Sequence, residues 1–134
     1  MKISFAMLFA GLLITMSSAK SFSATPGTDP DREVNIGVAS VFVPSGFDSR
    51  SDVNVVASGL FPNTCYRWSR AEVTAKDQGI IEVYTKAKVH EGVCLMMLVP
   101  FTNEVALGHL GAGEHTVRFM GGDGTYLEKK IVIE

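Results

Sequence analysis

From Val34 onward the dominant repeat of the chain is two residues, and a side chain that changes face at every step belongs to a strand with one buried face. In residues 52–59, DVNVVASG, Val53, Val55 and Ala57 share one face, with Asn54 and Ser58 on the other. In IIEVYTKAKV, Ile81, Val83, Ala87 and Val89 oppose Glu82, Lys86 and Lys88. EHTVRF sets His115, Val117 and Phe119 against Glu114, Thr116 and Arg118, and the final YLEKKIVIE turns Leu127, Ile131 and Ile133 inward. Turn residues punctuate these runs at Pro44 to Gly46, Gly59 with Pro62 and Asn63, Asp77 to Gly79, Glu91-Gly92, Gly111 to Gly113, and Gly121 to Gly124. No segment after Val34 has the spacing of a long helix.

Six to eight short strands in one domain of this length predict an all-β sandwich, because each one-sided sheet must bury its apolar face against another. A small closed barrel is the alternative. One stretch departs from the alternation. VCLMMLVPF, residues 93–101, is apolar on both faces, which predicts an internal strand covered on each side. The functional reading of the same stretch is an adaptable, methionine-rich contact patch around Leu95, Met97 and Val99.

Residues 1–23 have the layout of a secretory signal peptide: Lys2, an apolar or small run from Ile3 to Met16, then small polar residues. Cleavage is expected after Ser23, with Ala19 as the other candidate and an uncleaved anchor as the alternative. Export to a periplasm or beyond follows, with no membrane insertion after cleavage. Residues 24–33, ATPGTDPDRE, read as a flexible leader, and residues 34–134 as the sandwich domain. The full chain has a net charge of −2, and loss of Lys2 and Lys20 makes it more acidic. Only Lys129-Lys130 resembles a basic cluster, and the pair lies on opposite strand faces, so no nucleic-acid partner is expected.

The two cysteines, Cys65 and Cys94, are even in number and destined for an oxidising compartment, which predicts a disulfide. Buried free thiols or half of a metal site are the alternatives. Cys65 directly follows the turn signal FPNT, so the bridge is expected at a strand entrance, stapling one end of the sandwich.

Trp68 close after Cys65, the strand spacing, and the pattern Val105-x-Leu107-x-x-Leu110-x-x-Gly113-x-His115-x-Val117-x-Phe119 resemble a secreted, bacterial-type immunoglobulin-like or fibronectin type III-like domain. The resemblance implies a glycine corner leading into a strand, with His115 where such domains place a tyrosine. Trp68 follows Cys65 by only three positions, so the bridge differs from that of antibody domains. The resemblance supplies no catalytic residues.

His115 shares its strand face with Val117 and Phe119, so its ring is expected to point inward and hydrogen-bond a backbone carbonyl at the corner. The sharper reading is a metal site formed by His109 and His115, with Met96, Met97 and Met120 as soft donors, in a periplasmic copper-handling protein. Catalytic chemistry has less support. Ser58, Ser69 and Asp77 lie in no nucleophile elbow, Glu82 and Glu128 sit beside lysines on solvated faces, and GGDGT lacks a P-loop lysine and reads as a hairpin turn. These residues predict a non-enzyme without a cofactor that binds a protein or cell-envelope partner. Tyr66, Arg67, Trp68 and Arg70 are the candidate contact residues, because aromatic and arginine side chains anchor interfaces. For Trp68 the core is the preferred reading and the interface the alternative.

Overall fold

The computed structural model describes residues 31–75 and 79–134, which form eight strands and no α-helix. These are β1 (Asp31–Asn35), β2 (Ser40–Phe42), β3 (Asp52–Phe61), β4 (Tyr66–Ala75), β5 (Ile80–His90), β6 (Val99–His109), β7 (Gly113–Met120) and β8 (Tyr126–Ile133). β2, β3 and β6 make a three-stranded antiparallel sheet. The other sheet is built around β5. One edge of β5 pairs with β4 along its length, while the other is shared by β1 near His90 and by β7 near Ile80, and β8 follows β7. The two sheets form a sandwich, and no closed barrel is present.

The alternation read from the sequence is the alternation of burial. Val53, Val55 and Ala57 of β3 cluster with Ile81 and Val83 of β5, Val105 and Leu107 of β6, Val117 and Phe119 of β7, and Ile131 and Ile133 of β8, all buried. Thr85 falls in the inward phase of β5 and is the buried polar residue of this core. Its hydroxyl donates to the Ile36 carbonyl at 2.5 Å, and its own carbonyl accepts from the Ile36 N–H at 2.9 Å. Burial without loss of hydrogen bonding is the condition for a polar group in a core. The expected GGDGT hairpin joins β7 to β8, with Asp123 accepting from the Thr125 N–H and hydroxyl.

The inner layer changes character at the end of the sandwich where β3 and β5 finish. There Phe61, Tyr66, Trp68 and Phe101 replace the valines, with ring centroids of 4.5 Å for Phe61 and Phe101 and 5.7 Å for Trp68 and Phe101. Gly59 makes this possible, because a Cβ at that position would lie 2.6 Å from the Phe101 ring. The aromatic cluster gives this end a stiff floor.

Two expectations are corrected. The leader was predicted to run to residue 33, yet β1 starts at Asp31. Residues 31–33 look like linker because they are charged, but in the sheet their charges meet partners on β4 and β5: Asp31 pairs with Arg67 and His90, and Glu33 with Arg70. Residues 1–30, which hold the expected signal peptide and most of the expected leader, lie outside the described residues. The internal strand predicted over residues 93–101 begins only at Val99, where it pairs with Phe61 at the end of β3. Residues 93–98 run past the last available partner and form an exposed, irregular loop.

Candidate docking site at the disulfide end

The loop that carries residues 93–98 is apolar and held in place. Cys94 is bonded to Cys65, which lies immediately before β4, with the two Cα atoms 5.4 Å apart. The Leu95 N–H donates to the Thr64 hydroxyl at 2.9 Å, and the Thr64 N–H donates to the Leu95 carbonyl at 3.2 Å. A tight turn follows, in which the Met97 N–H donates to the Leu95 carbonyl at 2.9 Å. Behind the bridge, the His90 N–H donates to the Cys65 carbonyl at 3.0 Å. The loop is thus fastened to the β3–β4 turn by one covalent bond and a reciprocal pair of hydrogen bonds.

What this anchorage displays is unusual for a surface. Val93, Leu95, Met96, Met97 and Leu98 are all exposed, Met96 at 83% and Leu98 at 62%. Leu60, also exposed, stands opposite Pro100 in the adjoining β3–β6 register and extends the apolar area. Neither segment of this end, 53–66 or 92–103, contains an acidic, basic or histidine residue. Contiguous apolar surface without charge marks an interaction site more often than a random exposed leucine does.

Beside the loop lies an open cleft of about 460 Å³, lined by Arg32, Asn63, Tyr66, His90 and the disulfide among others. Asp31 neighbours the lining residues Arg32 and His90. Its carboxylate is held by Arg67 and by His90 Nδ1 at 2.9 Å, and its side chain is only 4% exposed. Arg32, opposite Val89 at the sheet end, has no ion-pair or hydrogen-bond partner among the described residues. Sequence reasoning missed this cleft. It depends on β1 pairing with the last turn of β5, and nothing in DRE taken alone specifies that register.

The four contact residues proposed from sequence separate onto two faces of β4. Tyr66 and Trp68 turn inward onto Phe61 and Phe101, half-buried, so Trp68 serves the core. Arg67 points outward to Asp31. A bulge at Ser69 puts Arg70 on the outer face as well, where it pairs with Glu33 at 2.7 Å and with Glu72. Hydrogen bonds from Arg70 and from the Ser69 hydroxyl hold the Glu33 carboxyl below the usual carboxylate range. The bulge and its charges protect β4 as an edge strand.

His109 and His115 fall at the opposite end. His115 is half-buried in the inward phase of β7, and its Nε2 donates to the Gly111 carbonyl at 2.6 Å, the corner bond expected from the sequence. His109 is exposed, with Nδ1 3.1 Å from the Ser51 carbonyl and 3.3 Å from Asp52. Its distance from the methionine loop is the length of β6, roughly 33 Å for eleven residues of strand. The histidine and thioether donors imagined for copper are therefore not brought together. Among the described residues there is no group of three or more potential metal ligands. Ser58 is engaged with Thr102 and Ser69 with Glu33, and neither meets a histidine.

No curated protein and no solved structure matches the chain. A family model does. The match covers residues 55–132, more than half the chain, running from within β3 through β8 and so taking in both sheets, the disulfide and the apolar loop. The chain belongs to the ORF11 beta-sandwich domain family.

Proposed function

We propose that this protein is an exported, non-catalytic binding module that docks onto a protein or other component of the cell envelope through residues 93–98. The observation that carries the proposal is an apolar loop exposed to water yet covalently held in one place. A floppy apolar loop would lose much conformational entropy on binding, whereas the bridge and the Thr64 hydrogen bonds remove part of that cost in advance. Met96 and Met97 suit such a surface because their unbranched side chains adapt to an irregular partner. The disulfide supports export to an oxidising compartment, in keeping with the apolar run at Ile3 to Met16. The immunoglobulin-like resemblance supports the plan of a rigid sandwich that presents loops at one end. The pairing of β5 with β7, however, is parallel, while the sheets of immunoglobulin domains are antiparallel.

The test is a comparison of capture from envelope extract by the immobilised protein and by its Met96→Ser, Leu98→Ser double variant. Removal of two central apolar anchors is expected to lower the amount of bound material by about tenfold or more. The melting temperature should stay within about 2 °C, because both side chains are exposed. Equal capture by the two forms would sink the proposal.

A further inference from the structure

From the same loop we infer that its partner is a phospholipid bilayer, entered by residues 93–98 to interfacial depth without being spanned. The inference rests on the reading that this loop is the working surface, and it names the chemistry of what that surface meets. Three observations carry it.

The first is the layering of side chains at this end of the sandwich. Val93, Leu95, Met96 and Leu98 project at the tip with no charged residue between Gly92 and Asn103. Charge returns only at the base, where Arg32 and Glu91 line the cleft near the Asp31–Arg67 pair. An apolar tip, a charge-free collar and a base of mixed charge that carries Arg32 follow the order of acyl boundary and headgroup region in a bilayer, to a depth of about 5–10 Å. A protein partner would also need polar groups at the rim that match donors and acceptors, and the loop supplies few beyond its backbone.

The second is the unpaired cation. Arg32 is the guanidinium of this end that lacks a carboxylate among the described residues, since Arg67 is taken by Asp31 and Arg70 by Glu33 and Glu72. It lines the cleft with Asn63 and Tyr66 at the base of the loop. A long basic side chain at that level extends its charge to lipid phosphate while its stem covers apolar surface.

The third is where the rest of the chain is attached. β1 begins at Asp31, paired with His90, at the same end as the loop and not at the histidine corner. The thirty preceding residues include the apolar run from Ile3 to Met16. In the uncleaved form, with that run held by a membrane, the chain enters the sandwich at the loop end and so brings that end toward the same membrane.

The experiment places a reporter in the loop of the full chain. Met96→Trp and Ser45→Trp introduce an exposed indole at the loop and at the far end, respectively, and each spectrum is read as its difference from the parent, whose single tryptophan is Trp68. The probes are vesicles of phosphatidylcholine, alone or with phosphatidylglycerol, with and without brominated acyl chains. The expected result is a blue shift and bromine quenching at position 96 on both vesicle types, with neither at position 45. Adding Arg32→Gln should weaken vesicle binding about fivefold, the usual weight of one basic residue at a lipid surface. The local reporter matters because vesicle association through the N-terminal run alone would leave position 96 unchanged, and that outcome overturns the inference. So would equal responses at both positions, or binding that needs the anionic lipid. If position 96 stays silent while capture of envelope proteins still depends on Met96 and Leu98, the bilayer is excluded and loop docking stands. If both fail, the docking reading falls with it.

Discussion

Replacing Cys65 and Cys94 together by serine is expected to lower the unfolding free energy by about 3 to 4 kcal/mol, the chain-entropy value for releasing a closure of 29 residues. The closure contains all of β4 and β5, and the bridge is the covalent part of the tie between the β3–β4 turn and the loop, so the loss should have a local face as well. Without the bridge, residues 93–98 keep only the Thr64 hydrogen bonds, and those are exposed to competing water. Urea unfolding of the parent and the double variant, followed by Trp68 fluorescence, measures the global effect. Proteolysis within 91–98 measures the local one. A variant as stable as the parent would mean that the bridge contributes nothing to the fold.

Phe119→Ala should cost about 3 to 5 kcal/mol, the range for removing a buried phenyl ring from a core that relaxes only in part. Phe119 is 2% exposed and sits near the end of β7, opposite Val83 of β5 on one side and Leu127 of β8 on the other. Its loss opens a cavity where three strands of the sheet meet the valines of β3. Phe42→Ala is the control, because Phe42 projects from the outer face of β2 and is 66% exposed. Its change should stay within about 0.5 kcal/mol. Similar losses for the two substitutions would contradict the assignment of inner and outer faces.

Those faces were legible in the sequence because strand burial repeats every second residue. Val53, Val55, Ile81, Val83, Val117 and Phe119 therefore declared themselves without any knowledge of which strands pair. Pairing itself is not local. Nothing in DREVN or IIEVYTKAKV states that β1 and β7 share one edge of β5, so the charged strand at Asp31 reads as linker and the Arg32 cleft is invisible. The Met-rich stretch shows the opposite difficulty. Apolar residues on both faces fit an internal strand and an exposed loop equally well, and only the end of β3 at Phe61 decides between them. Tyr66 and Trp68 were legible as a pair on one face. Which face depends on the aromatic cluster that Gly59 admits. The cysteine pairing could be read because two cysteines allow a single bridge, and its place at a strand entrance followed from the FPNT turn.

The most direct test of a working surface at residues 93–98 is methionine oxidation read by peptide mass spectrometry. In the isolated protein, dilute peroxide should convert exposed Met96 and Met97 to sulfoxides well before half-buried Met120. With envelope fraction present, Met96 and Met97 should be protected while the rate at Met120 stays the same. Oxidation of Met96 at the same rate with and without the envelope fraction would show that the loop meets nothing there, contrary to the function proposed for it.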